Sequence, residues 1–208
     1  MPSNNANLDM NELSHADYSA QDLKHLFKAL SFACLKHSNQ RRKDPQRTPY
    51  INHPIGVANF LIKSGVIDLI TIQAALLHDT LEDTDTLFEE LETTFGRAVA
   101  TTVKEVSDDP HLPKAERKKL QIQNALFLSH RAKQVRLADK LYNLTDIMLQ
   151  TPEGWTLDRV QEYFIWARNV TSNCLGTNPD IESQLNRIYS QGQFIFNGKL
   201  YPCLPMKE

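Results

Sequence analysis

Residues 74–84 place four side chains that can bind metal directly after an apolar run. The segment reads Ala-Ala-Leu-Leu-His-Asp-Thr-Leu-Glu-Asp-Thr, so His78, Asp79, Glu82 and Asp83 fall within six positions. Residues four apart share one face of a helix, so a continuous helix would stack Glu82 about 6 Å above His78. Asp83 would stack on Asp79 in the same way. The pattern predicts a metal ion beside His78 and Asp79, with the two later carboxylates activating a water molecule.

Two residues elsewhere in the chain could complete such a site. His53 precedes Pro54, which fits the first turn of a helix, and Asp139 lies in a helical pattern with a buried apolar face. Two imidazoles and two carboxylates suit Mn²⁺, Fe²⁺ or Mg²⁺ better than a closed structural zinc site, which favours thiolates. The alternative is that the histidines are structural and that Glu82 and Asp83 are solvated acids. The residue types alone leave both interpretations open.

Two groups of basic residues could bind phosphate. They are Arg41, Arg42 and Lys43 before His53, and Lys114, Arg117, Lys118 and Lys119 in a later helical segment. Arginine can hold a phosphate through two parallel hydrogen bonds. The alternative is ordinary surface charge, which we favour for Lys118 and Lys119. Tyr50 is a candidate for stacking on a nucleotide base, whereas Trp155 and Trp166 fit a core position better.

Composition limits the class of protein. The chain has 208 residues, 41% of them hydrophobic, which is enough for one compact domain. Its net charge of −2 disfavours a broad nucleic-acid surface, so we expect no nucleic-acid partner. Three scattered cysteines indicate reduced thiols in a cytoplasmic setting. No apolar run approaches the roughly 20 residues of a membrane span, and the N-terminus lacks the apolar region of a signal peptide, so we expect no membrane partner.

The periodicity of apolar residues predicts an all-α fold of about nine helices, with no convincing strand and no internal repeat. Residues 1–17 are polar and predict a loose tail. Ser19 begins a capping-box pattern, and residues 18–191 form the predicted helical domain. Residues 192–208 are predicted to be a C-terminal tail or a packed arm. The sequence leaves the oligomeric state open.

Four stretches of the chain resemble a known family. His53, the pair His78-Asp79 and Asp139 look like the signature of HD-domain metal-dependent phosphohydrolases. The wider similarity lies in residues 37–43, 48–54, 74–84 and 137–144. Together they resemble the hydrolase domain of the RelA/SpoT superfamily, in its small hydrolase-only type, the metazoan SpoT homologues. The resemblance covers about residues 20–190 and implies that the compact helical domain is an HD hydrolase domain.

The resemblance implies a Mn²⁺-dependent enzyme that removes the 3′-pyrophosphate of (p)ppGpp, giving GDP or GTP and pyrophosphate. It implies that His53, His78, Asp79 and Asp139 bind the metal and that Glu82 and Asp83 activate water. The implied substrate contacts are Arg42, Lys43, Tyr50, Lys114, Asn143 and Arg159. Thr145 departs from the family, which often has arginine at that position, and this puts a substrate contact from there in doubt.

Two alternatives use the same pocket. The animal members of the family are also associated with removing the 2′-phosphate of NADPH, a nucleotide with a similarly phosphorylated ribose. The other alternative is a nucleotide-binding sensor that turns its ligand over poorly. The Glu82-Asp83 pair argues against a sensor, because binding alone does not need a water-activating carboxylate.

Overall fold

The computed structural model describes residues 18–205, and most of them are helical. The helices are α1 (Ala20–Lys36), α2 (Asn52–Lys63), α3 (Leu69–Leu77), α4 (Thr80–Asp83), α5 (Phe88–Phe95), α6 (Arg97–Val106), α7 (Lys114–Asn124), α8 (His130–Leu149), α9 (Leu157–Ser172) and α10 (Pro179–Gln191). Two strands follow, β1 (Gln193–Phe196) and β2 (Lys199–Pro202). In this part of the chain α4 is a single turn and nine helices are longer, so the all-α prediction is confirmed. The predicted N-terminal tail lies outside the described residues.

Helix α3 is the centre of the core. Seven of its nine residues are buried, because α1, α2, α6 and α8 pack around it. A helix that is apolar on every side can only be stable when it is surrounded in this way. Burial of each large side chain, such as Leu77, contributes about 1.5–3 kcal/mol. Within residues 18–205, no helix combines the length and apolar character needed to cross a bilayer.

The predicted continuous helix through residues 74–84 is wrong at one point. Helix α3 ends at Leu77, and His78 and Asp79 form a turn before α4 begins. The turn is held by Thr80, whose Oγ1 donates to the carbonyl of Leu77 at 2.7 Å. Adjacent residues of a regular helix point about 100° apart, from 3.6 residues per turn. In this turn, however, Nε2 of His78 and Oδ2 of Asp79 lie only 3.1 Å apart.

Helices α2 and α8 approach each other closely where a glycine meets an aromatic ring. A Cβ atom on Gly56 would overlap the ring of Tyr142. The same ring packs edge-on against His53, with centroids 5.0 Å apart. Gly56 is therefore the residue that allows α2 to bring His53 up to α8.

The C-terminal segment forms a hairpin, although the sequence showed no convincing strand. Asn197 and Gly198 both have positive φ, 49° and 75°, as the turn of a two-residue hairpin requires. Phe194 is buried and stacks on Phe164 of α9 at 5.8 Å between centroids. The open prediction of a tail or an arm therefore becomes a packed arm over residues 193–202. The Asn-Gly pair was the local signal for it.

Candidate active site

Four side chains from three separate parts of the chain converge on one point. His53 comes from the first turn of α2, His78 and Asp79 from the turn after α3, and Asp139 from the middle of α8. The Nε2 atom of His53 lies 3.2 Å from Nε2 of His78 and 3.3 Å from Oδ1 of Asp139. Its distance to Oδ2 of Asp79 is 3.4 Å. Three of the four, His53, His78 and Asp139, form a buried group that could hold a metal ion, and their ligand atoms all lie within 4.8 Å of one another. This group is termed the metal-binding group. Asp79 contacts both imidazoles but lies outside it.

The hydrogen bonding of His78 fits a metal ligand. Its Nδ1 lies 2.7 Å from the carbonyl oxygen of Ala75, which can only accept a hydrogen bond. Nδ1 must therefore carry a proton, so a bound cation would be held through Nε2. Burial alone would lower the pKa of His78, but the carboxylates of Asp79 and Asp139 outweigh it and raise that pKa to about 9. The carboxylates around His78 therefore favour a positive charge at this point, and a divalent cation could supply it.

Asp139 is held by its neighbours on α8. Lys140 Nζ lies 2.9 Å from Oδ2, and Asn143 Nδ2 donates to Oδ1 at 2.6 Å. Burial alone would raise the pKa of Asp139, but Lys140 and His53 hold it well below its usual value. Lys140 is itself buried and lies over the ring of Trp166 at 4.4 Å. Lys140 was missed from the sequence, although a lysine between two buried leucine positions was a signal.

Glu82 and Asp83 are adjacent in sequence but have different surroundings. Tyr50 donates its hydroxyl to Oδ2 of Asp79 at 2.8 Å and lies 3.3 Å from Oδ2 of Asp83. Glu82 instead accepts from Nη1 of Arg117 at 2.7 Å. Burial is the largest cause that raises the pKa of both Glu82 and Asp83. Both carboxyls therefore gain basicity beside the metal-binding group.

Tyr50 makes contacts that the sequence did not predict, and its stacking on a base stays a prediction. Its hydroxyl is used at the metal-binding group, and burial raises its pKa well above the usual value, so it stays a donor. The ring also lines a cavity and lies 5.8 Å from the guanidinium of Arg42. Tyr50 thus connects the metal-binding group to the cavity next to it.

Two adjoining cavities contain the predicted substrate residues. The first, termed the Arg42 cavity, measures about 230 Å³ and includes Arg42, Lys43, Tyr50, Asn143, Asp146, Trp155 and Tyr163. The second, termed the Lys114 cavity, measures about 180 Å³ and includes Glu82, Lys114, Arg117, Lys118, Trp155, Arg159, Tyr163 and Trp166. Trp155 and Tyr163 belong to both. A wider groove of about 930 Å³ near Asp68 and Arg131 contains none of the predicted site residues.

The Lys114 cavity is positively charged. Burial and the nearby cations of Arg159, Lys43 and Arg117 lower the pKa of Lys114. The guanidinium of Arg159 lies over the ring of Trp155 at 4.4 Å. Cations that crowd one another in this way suit a ligand with several negative charges.

Arg42 differs from the other predicted phosphate contacts because it is already paired. Its Nη2 lies 2.6 Å from Oδ2 of Asp146 and 3.1 Å from Oδ1 of Asn143. Asn143 thus connects Arg42 on one side to Asp139 on the other. Thr145 donates back to the carbonyl of Leu141 and lines neither cavity.

Sequence reasoning missed several residues of these cavities, and four of them carry a polar or aromatic side chain of interest. They are Asp108, Asp146, Trp155 and Tyr163. The interpretation of Trp155 and Trp166 as core residues is incomplete, because both are half-buried and line the Lys114 cavity. An aromatic residue is amphipathic enough for either position, so its type alone gives no signal.

The helical fold and the His/Asp group together define an HD-domain protein. The sequence profile described as HD domain matches residues 29–167. The chain therefore belongs to the HD-domain family.

Named relatives sharpen this assignment. A zebrafish (Danio rerio) protein is 58% identical over 165 residues, which cover 79% of this chain and 92% of the relative. A human protein is 54% identical over 167 residues, covering 80% and 93%. Both are named guanosine-3′,5′-bis(diphosphate) 3′-pyrophosphohydrolase MESH1. A solved structure described as a metazoan orthologue of SpoT that hydrolyses ppGpp superposes with a TM-score of 0.80 at 47% identity, covering 85% of this chain and 98% of that one. These matches confirm the resemblance to the metazoan SpoT homologues.

Proposed function

We propose that this protein is a cytoplasmic, Mn²⁺-dependent (p)ppGpp 3′-pyrophosphohydrolase. The observation that carries the proposal is the convergence of His53, His78, Asp79 and Asp139 beside a cavity of crowded cations. The names of its relatives support the same substrate. The products are GDP or GTP and pyrophosphate.

The donor set supports Mn²⁺ as the ion. Imidazole nitrogens and carboxylate oxygens together suit manganese, whereas structural zinc sites favour thiolates. The three cysteines are free, and none lines the Arg42 or Lys114 cavity. Free cysteines also support the cytoplasmic location, because thiols stay reduced there.

The chemistry is an attack by water on the phosphorus atom that is bonded to the ribose 3′-oxygen. When bound, a divalent cation polarises a phosphate oxygen and lowers the pKa of coordinated water. Glu82 or Asp83 accepts the proton of the attacking water. The bond from phosphorus to O3′ breaks, O3′ takes up a proton, and pyrophosphate leaves. Lys43, Lys114 and Arg159 bind the phosphates and offset the negative charge of the transition state.

The test compares two substrates with the metal-loaded protein. We expect ppGpp and Mn²⁺ to give GDP and pyrophosphate in equal amounts, and EDTA to stop the reaction. Release of phosphate from NADPH with no turnover of ppGpp would replace the proposal with a 2′-phosphatase. Calorimetric binding of either nucleotide without turnover would replace it with a sensor. Turnover of both would retain the proposed reaction and add the second activity.

A further inference from the structure

Glu82 is oriented by residues that lie outside its own helix. Its Oε1 accepts from Nη1 of Arg117 at 2.7 Å, and its Oε2 accepts from the backbone N–H of Asp108 at 3.1 Å. Helix α4 is a single turn and provides no equivalent support. The direction of this carboxylate is therefore set by α7 and by the loop before it.

Helix α7 is held by hydrogen bonds and contains no buried residue. Buried Arg136 donates to the carbonyl of Val106 at 2.9 Å and to Oε1 of Gln121 at 3.1 Å. Gln121 in turn donates to the carboxylate of Asp108 at 2.6 Å. This network fixes the loop residue whose N–H binds Glu82, and it fixes the helix that carries Arg117.

Arg117 differs from Lys114 and Arg159 in the same cavity because it already forms a salt bridge with a carboxylate. Its side chain is 27% exposed and that of Glu82 is 21% exposed, so water screens the pair less than it would at the surface. Lys114 and Arg159 have no carboxylate partner within salt-bridge distance among residues 18–205. A phosphate-binding role fits those two residues better than it fits Arg117.

We infer that Arg117 is a positioning residue that holds the Glu82 carboxylate in the direction of the attacking water, whose proton it accepts. This inference rests on the proposed function. A carboxylate has about four acceptor sites, so the two donors leave others for water. Burial and the neighbouring carboxylates raise the pKa of Glu82. A hydrogen bond from the guanidinium of Arg117 acts in the opposite sense, because it stabilises the ionised form that can act as a base. The other charged groups near Glu82 are Asp79, Asp83, Asp108, Lys114, Lys118 and Arg159.

The experiment compares R117Q, R117K and a matched control in the Mn²⁺-loaded protein with ppGpp. The control is R97Q, because Arg97 also pairs with a glutamate at 3.1 Å but is 83% exposed. We expect R117Q to lower kcat by about 10-fold to 100-fold, as for other supporting contacts. KM and bound manganese should stay the same, and the acidic limb of the kcat profile should move to higher pH. R117K should recover part of kcat, and R97Q should match the wild type.

Two outcomes would overturn the inference. A raised KM with unchanged kcat would make Arg117 a phosphate ligand. Unchanged kcat and an unchanged pH profile would make it a structural residue only. Titration of the Glu82 carboxyl by ¹³C NMR, assigned with E82Q, tests the contact without turnover, and R117Q should raise its pKa. If the wild type fails to hydrolyse ppGpp, the proposed function fails, while this titration still decides whether Arg117 controls Glu82.

Discussion

The metal-binding group and the Lys114 cavity lie side by side but are held by different forces. The first is built on α3 and α8, which bury seven of nine and ten of twenty residues. The second has a wall formed by α7, which buries none. Apolar burial thus fixes the predicted metal ligands. The predicted substrate contacts on α7 depend more on hydrogen bonds, with Ile122 only partly buried against the core. The two regions can therefore be separated by mutation, because damage to one need not unfold the other.

The largest expected effect comes from the buried region. We expect D139A to lose both manganese and turnover, with a loss of activity beyond the roughly 10-fold to 100-fold typical of a supporting contact. It removes a ligand oxygen and leaves Lys140 buried without its carboxylate. Metal content by mass spectrometry and ppGpp turnover measure the result. D139N keeps the side-chain volume and controls for unfolding. Normal manganese content in both variants would remove Asp139 from the ligand set.

Glu82 tests the boundary between the regions. We expect E82Q to keep its manganese but to lose about 10²-fold to 10⁴-fold in kcat, because an amide cannot accept the proton. D85N is the control, since Asp85 is an exposed acid that pairs with Lys36. Steady-state rates at saturating ppGpp measure the effect. A wild-type kcat in E82Q would show that Glu82 is not the base.

The third prediction concerns Lys114 on α7, the helix that forms a wall of the Lys114 cavity. We expect K114M to raise KM by about 10-fold to 100-fold, because a hydrogen bond to a charged group contributes about 1.5–3 kcal/mol. Bound manganese and thermal stability should not change, because Lys114 is only partly covered by its neighbours and α7 contains no fully buried residue. K119M is the matched control on the same helix, because Lys119 is exposed and lines neither cavity. An equal rise in KM for both variants would point to general charge rather than to a contact.

The smallest expected effect on activity comes from helix packing. We expect G56A to lower the free energy of unfolding by about 1–3 kcal/mol, because the added methyl group overlaps Tyr142. Denaturant unfolding of the manganese-loaded protein measures this change. G56A combined with Y142A should be less unstable than the sum of the two single changes. Additive losses would mean that the helices separate without using this contact.

The sequence predicted the helices and the four converging residues better than it predicted the second region. The capping box at Ser19 is present, and Asn178 caps α10 with Pro179 in its first turn, because caps are local chemistry. His53, His78, Asp79 and Asp139 were singled out from their types and the family resemblance. Their convergence needs packing between α2 and α8, and no spacing in the chain encodes that contact.

The errors have physical causes too. Residues 74–84 have helical character, so local propensity favours one helix. The structure instead turns at His78, where the Thr80 hydroxyl bonds the Leu77 carbonyl. Arg42 stays a predicted substrate contact, because it lines a cavity. Its pairing with Asp146, 104 residues away in sequence, was not predicted. Contacts of this separation leave no periodic signal. The Asn197-Gly198 pair, by contrast, is a local hairpin signal that the sequence does contain.

Asn143 gives the two neighbouring regions a common thermodynamic link. Its amide accepts from Arg42 in the outer cavity and donates to the oxygen of Asp139 that faces the imidazoles. A ligand that binds Arg42 and moves its guanidinium away from Asn143 should change the hydrogen bond from this amide to Asp139. If bound nucleotide changes the affinity for manganese by some factor, reciprocity requires that bound manganese change the affinity for nucleotide by the same factor. Each ligand should therefore report on the presence of the other in a titration.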